Sequence, residues 1–349
     1  MKIGRIFAVF CILALLMTSG CGNSGIKESY EAAVATLENG DYEAAAKQFS
    51  EVINSGNYLA ESYRGEAICL MYMQDFARAS ISFEKALLNL DFEDEEFERD
   101  VYSYLAFCRS KQGKTDEALE IYDTLISEKE DPNLLFLRGR IYMSRDMTEA
   151  ADADFERIVE ISDDYELYIA IYEIYDSYRM NANGAAFLEK ALGLASSNDD
   201  DHYGKGMIYY YLKDYDEAKN ELIAALQADS GNKDAILLLG KTYLAMDDIA
   251  DARAMYKGYA ENDETAACAY NGIALCDMAE EMYDSALENI EKGLEVADSE
   301  EKKSLLYNEI VVYEKKCDWE TARSKAELYI ALYPMEEAGQ REYNFLENR

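Results

Sequence analysis

Proline is almost missing from this chain of 349 residues, with two in all, Pro132 and Pro334. Proline breaks helix interiors, so its scarcity leaves room for helices from end to end. With abundant Ala, Glu and Leu, it points to an all-helical protein. Histidine occurs once, as His202, which excludes His-rich metal sites and leaves no basis for His-centred catalysis. Basic residues are few: Lys plus Arg is 34 against 70 Asp plus Glu, a net charge of −36. Phosphate recognition needs a basic surface, so nucleic acid is excluded as a partner. Long apolar runs are lacking too. The run from Ile6 to Met17 has twelve residues, and a helix needs about 20 to cross a bilayer. What the chain has instead is 49% apolar residues, too many for global disorder, and 29 tyrosines.

The N-terminus reads as an export signal. Lys2 and Arg5 precede the apolar run, and Thr18, Ser19, Gly20 and Cys21 follow it. Thr18-Ser19-Gly20-Cys21 resembles the bacterial lipobox, with Thr18 where leucine is usual. The resemblance implies a signal peptide over 1–20, lipidation of Cys21 and a short tether over 21–25. It places the protein on the extracytoplasmic face of a membrane, held by acyl chains alone, each buried CH₂ contributing about 0.8 kcal/mol. Loss of Lys2 and Arg5 would take the charge from −36 to −38.

From residue 26 the sequence repeats at a period near 34. Gly40-Asp41-Tyr42-Glu43-Ala44-Ala45 returns as Gln74 to Ala79, Gly113 to Ala118, Lys213 to Ala218, Asp247 to Ala252, Glu281 to Ala286 and Cys317 to Ala322. This pattern is similar to the tetratricopeptide repeat, which implies a right-handed α-solenoid superhelix of about nine helix-turn-helix units. Their starts fall near 26, 60, 99, 132, 165, 199, 233, 267 and 303, covering 26–336, with a capping segment over 337–349. The twentieth place of the units holds Ala45, Ala79, Ala118, Ala151, Gly184, Ala218, Ala252, Ala286 and Ala322. A close helix crossing accounts for this, since only a small side chain fits there. The eighth place is small as well, except at Tyr172 and Ile310, and the twenty-fourth is large, except at Ala326. Cys69, Cys108, Cys268, Cys276 and Cys317 are expected as free, buried thiols. Equivalent places in adjacent units lie beyond the roughly 7 Å Cα limit for a disulfide.

No constellation for chemistry emerges, and neither a cofactor nor a metal site is expected. Gly240-Lys241-Thr242 imitates the end of a phosphate-binding loop, but Ala235 stands where its first glycine should be. His202 is expected to pack, and Asp199-Asp200-Asp201 to favour a helix N-terminus. The resemblance implies that the first helices of the units line a concave groove for a peptide or protein partner. Reading its places gives Arg64, Phe107, Phe136, Arg140, Tyr203, Met207, Tyr210, Lys241 and Asn271, with Leu275 and Tyr307 among their neighbours. Aromatics, methionine and a few cations suit a peptide. The leading expectation is therefore a non-enzymatic lipoprotein scaffold. A glycan- or cell-wall-binding lipoprotein is the alternative, and an enzyme using carboxylates is a third.

Overall fold

A computed structural model of the chain describes residues 24–90, 94–195, 201–263, 265–334 and 336–349. The expected signal peptide over 1–20, Cys21, and Asp199 and Asp200 lie outside the described residues. Ser24 and Gly25, expected in the tether, instead open the first helix.

Every described element of regular structure is a helix, and the fold is an all-α repeat solenoid. Two compact units divide the chain at Ser162. The first holds four helix pairs: α1 (Ser24–Glu38) with α2 (Tyr42–Asn54), α3 (Leu59–Tyr72) with α4 (Phe76–Leu88), α5 (Glu95–Lys111) with α6 (Thr115–Glu128), and α7 (Pro132–Ser144) with α8 (Thr148–Ile161). The second, from Asp163, holds five pairs and a last helix. The pairs are α9 (Tyr165–Ser177) with α10 (Asn181–Ala195), α11 (His202–Tyr211) with α12 (Tyr215–Ala228), α13 (Lys233–Ala245) with α14 (Ile249–Asn262), α15 (Ala267–Ala279) with α16 (Tyr283–Val296), and α17 (Ser299–Lys315) with α18 (Trp319–Leu332). The last helix is α19 (Glu337–Glu347). The acidic residues after Asp94 lengthen α5 to 17 residues.

Each pair turns over in the same way. The first helix ends in a residue of left-handed conformation, such as Gln74 (φ 61°), Lys213 (φ 64°) or Glu281 (φ 60°). Backbone bonds then close a Schellman turn: Asp75 N–H donates to the Leu70 carbonyl at 2.9 Å, and Gln74 N–H to that of Met71 at 2.9 Å. Where an aspartate follows, it caps the second helix, and Asp75 accepts from Arg78 N–H at 3.1 Å. Asp41, Asp214, Asp248 and Asp318 do the same in their turns.

The small-residue slots are where the helices touch. Ala45, Ala79, Ala118, Ala151, Ala218, Ala252, Ala286 and Ala322 all have no exposed surface. The large twenty-fourth residue of a pair fills the space opposite its small eighth one. A Cβ at Gly139 would stand 2.5 Å from the Phe155 ring, and one at Gly206 would stand 2.7 Å from Leu222. The exceptions compensate. Half-buried Tyr172 lies beside Gly184, where a Cβ would meet its ring at 3.1 Å. Ile310, large at the eighth place, shares a core cluster with Ala322 and Ala326, small where others are large.

The thiols divide. Cys69, Cys108 and Cys276 are buried and free as expected, and burial pushes them up to about 12, 12 and 11. Cys268 is only half-buried and Cys317 is exposed, contrary to expectation. Cys317 occupies the left-handed turn position (φ 58°), which points away from the crossing.

Candidate partner-binding site

Seven of the nine expected groove residues are committed elsewhere. Arg64 is locked to Asp100 at 2.5 Å, with both side chains about nine-tenths buried, and lies over the Tyr104 ring. Phe107, Phe136 and Met207 are 2%, 0% and 8% exposed. Phe107 packs edge-on against Phe76, and Phe136 against Phe155. These three side chains build the crossing between helices rather than a free face. Tyr203 packs half-buried on the cluster of Leu222, Ala225, Ala235 and Leu239. Tyr210 lies 5.8 Å from the Tyr215 ring. Arg140 is half-buried over the Phe136 ring, at 5.9 Å.

Lys241 and Asn271 come together. First helices of neighbouring pairs touch in the second unit, α13 with α15 and α15 with α17. Where they run side by side with α18 and the start of α19, they border a shallow, open cleft of about 320 Å³. Its lining comprises Lys241 from α13, Asn271 and Leu275 from α15, and Lys303, Ser304, Tyr307 and Asn308 from α17. Tyr329, Glu336 and Ala338 close the far side. Exposed Lys241 stands on the face opposite Gly240, which packs inward. A Cβ on Gly240 would be 2.3 Å from Tyr256 Cζ.

Polar groups in the cleft hold one another in fixed positions. Asn308 Nδ2 donates to Asn271 Oδ1 at 2.7 Å. Lys303 Nζ pairs with Glu336 Oε1 at 3.0 Å, each 20% exposed. Tyr307 Oη donates to Glu342 Oε2 at 3.3 Å, and burial, then the Glu342 charge, raise the Tyr307 hydroxyl. Behind it the Tyr329 ring meets that of Tyr307 edge-on at 5.8 Å. The cleft is thus lined by two ammonium groups, one of them paired with the Glu336 carboxylate, two amides bonded to each other, and an apolar wall of Leu275 and Tyr307. Lys303, Ser304, Asn308, Tyr329, Glu336 and Ala338 were missed by counting groove places.

The remaining sequence candidates have structural work. Thr242 is buried and its hydroxyl donates to the Leu238 carbonyl at 2.8 Å, so the Gly240-Lys241-Thr242 stretch is plain helix. His202 Nδ1 lies 2.7 Å from Glu221 Oε2, a half-buried pair joining α11 to α12. Asp201 caps α11 by accepting from Gly204 N–H at 3.1 Å. Among the described residues no group of three or more His, Cys, Asp or Glu is placed to hold a metal ion.

Two family models described as Tetratricopeptide repeat match residues 109–166 and 209–276. Both stretches are tetratricopeptide repeats. Among solved structures, a tetratricopeptide repeat protein from Parabacteroides merdae ATCC 43184 is 17% identical. That match covers 70% of this chain and 97% of the other, with a TM-score of 0.42. Yeast Tom70 is 14% identical, with 93% and 81% covered and a TM-score of 0.49. YrrB, described as a tetratricopeptide repeat protein with an unusual peptide-binding site, is 26% identical, with 53% and 95% covered and a TM-score of 0.33. No curated protein matches the sequence. Tetratricopeptide repeats are in general protein-binding scaffolds rather than enzymes.

Proposed function

We propose that this protein is a lipid-anchored extracytoplasmic scaffold that binds a peptide or protein partner and catalyses nothing itself. The anchor reading rests on the sequence, on Lys2, Arg5, the apolar run and Cys21. The binding reading is carried by one observation, the convergence of Lys241, Asn271, Lys303 and Asn308 on a cleft beside an apolar wall. The family's general role agrees with it. Lys241 matters because it stands in a chain of charge −36, where an acidic partner would otherwise be repelled, while Lys303 is already paired with Glu336.

Affinity capture from a surface extract tests the reading. The expected result is one retained protein, with retention lost in the Lys241→Ala and Asn271→Ala double variant. Retention on insoluble cell wall, competed by sugars, would replace it with the glycan reading. For the anchor, Cys21→Ser is expected to release the protein into the medium. A Cys21→Ser variant that stays with the membrane fraction would refute lipidation.

A further inference from the structure

We propose that Glu314 and Glu342 form a proton-operated latch that holds α19 on the last helix pair, and with it the far wall of the cleft. The latch concerns docking of α19 and stands without a ligand. Its consequence for binding rests on the reading of the cleft given above.

Helix α19 is attached at several points. Leu346 is 1% exposed within the cluster of Ile310, Ala322, Ala326 and Tyr329. Gly339 lets the helix close on Tyr329, since a Cβ there would lie 2.3 Å from the ring. Arg323 of α18 donates to the Leu346 carbonyl at 3.2 Å. Arg349 covers the Trp319 ring at 3.7 Å. The start of α19 supplies Glu336 and Ala338 to the cleft. Undocking it would remove that wall and release Lys303 from Glu336.

Two acids lie inside this contact. Glu342 turns onto α17 and accepts from Tyr307. Glu314 of α17 is its neighbour, and Glu314 Oε1 is buried with no hydrogen-bond partner. A buried carboxylate oxygen without a donor is costly. A proton removes the problem: the Glu314 acid becomes a donor to the Glu342 carboxylate, and one of two like charges disappears. Desolvation, then the hydrogen bond and charge of Glu342, raise Glu314 from 4.5 to about 7. The opposing cations are Lys315 on α17 and Arg349 beyond α19, and both act more weakly than burial. Arg341 on α19 faces Tyr307.

The docked value exceeds the ordinary one, so docking takes up a proton between them. The contribution of the pair to docking is full below about pH 4.5, weakens as pH rises, and is lost above about pH 7. Above that, Glu314 gives its proton to solvent and faces Glu342 as a second anion. Its partial exposure to solvent reduces the effect, so the opening equilibrium is expected to rise on the order of tenfold between pH 5 and pH 8.

Hydrogen exchange of the full chain, read on peptides covering 337–347 and corrected for intrinsic pH dependence, tests this. Trp319 fluorescence reports the same opening through loss of the Arg349 contact. The wild type is expected to open about tenfold more at pH 8. Glu314→Gln is expected to abolish that rise, and Glu342→Gln, which leaves Glu314 buried but removes the facing charge, to reduce it, while peptides of α11 and α12 exchange as before. Circular dichroism confirms that each variant is folded. An unchanged rise in both variants, or no rise in the wild type, overturns the latch. Loss of partner capture in Lys241→Ala bears on the cleft alone and leaves this result standing.

Discussion

Tyr256 shows how far a single side chain sets this fold. Its ring is buried between two glycines: a Cβ would stand 2.3 Å from it at Gly240, and 2.3 Å at Gly272. Its hydroxyl donates to the Leu237 carbonyl at 3.2 Å, so the ring is fixed and cannot swing aside. Gly240→Ala is therefore expected to cost about 1–3 kcal/mol by overpacking, even though alanine is the better helix former. Urea denaturation followed by circular dichroism measures it. The companion Tyr256→Leu should recover part of the loss, and a neutral Gly240→Ala would show that the contact is slack. This layer was the most legible in the sequence, because every alanine slot repeats the same geometry. The compensations were not. Tyr172 beside Gly184, and Ile310 with Ala326, each look like a lapse alone and make sense only as pairs.

Among the turns, the same left-handed position is filled by Gly40 and Gly113 in two cases and by side-chain-bearing residues in seven: Gln74, Asp146, Arg179, Lys213, Asp247, Glu281 and Cys317. A Cβ in this conformation costs roughly 1 kcal/mol, which glycine avoids. Glu281→Gly is expected to raise stability by about 0.5–1 kcal/mol, and Gly113→Ala to lower it by a similar amount. A shift of the urea midpoint in opposite directions checks the pair. The flanking bonds carry the turn in either case, as Met282 N–H donates to the Asp277 carbonyl at 2.8 Å. In the sequence only the two glycines advertised the turn. The other seven types have no shared chemistry, since what the position asks for is backbone shape. The caps were more readable, because an aspartate after the turn has a side-chain oxygen to offer.

For the molecule as a whole, charge and the cleft pull in different directions. Of the expected groove residues, Lys241 and Asn271 line the cleft, and both lie on regular groove places. Lys303, Asn308 and Glu336 escaped the sequence reading because α17 begins early, at Ser299, and the chain then doubles back so that α19 covers the end of the pair. Such a site depends on where helices stop, which periodicity does not encode. The charge is simpler to weigh. Seventy acids against 34 bases leave an excess of 36 negative charges. Exposed pairs such as Arg157 with Glu130 contribute at most about 1 kcal/mol each and are screened by salt. Buried pairs such as Arg138 with Asp154, whose side chain is 6% exposed, are screened much less. Salt therefore relieves repulsion more than it weakens pairing. Raising NaCl from about 0.02 M to about 0.5 M, where the Debye length falls well below 10 Å, is expected to stabilise the protein by about 1–2 kcal/mol, or ~2–6 °C in melting midpoint. Thermal melts followed at 222 nm by circular dichroism decide it. A midpoint that falls with salt would mean that the exposed arginine pairs, rather than the acidic excess, dominate the electrostatics of the folded chain.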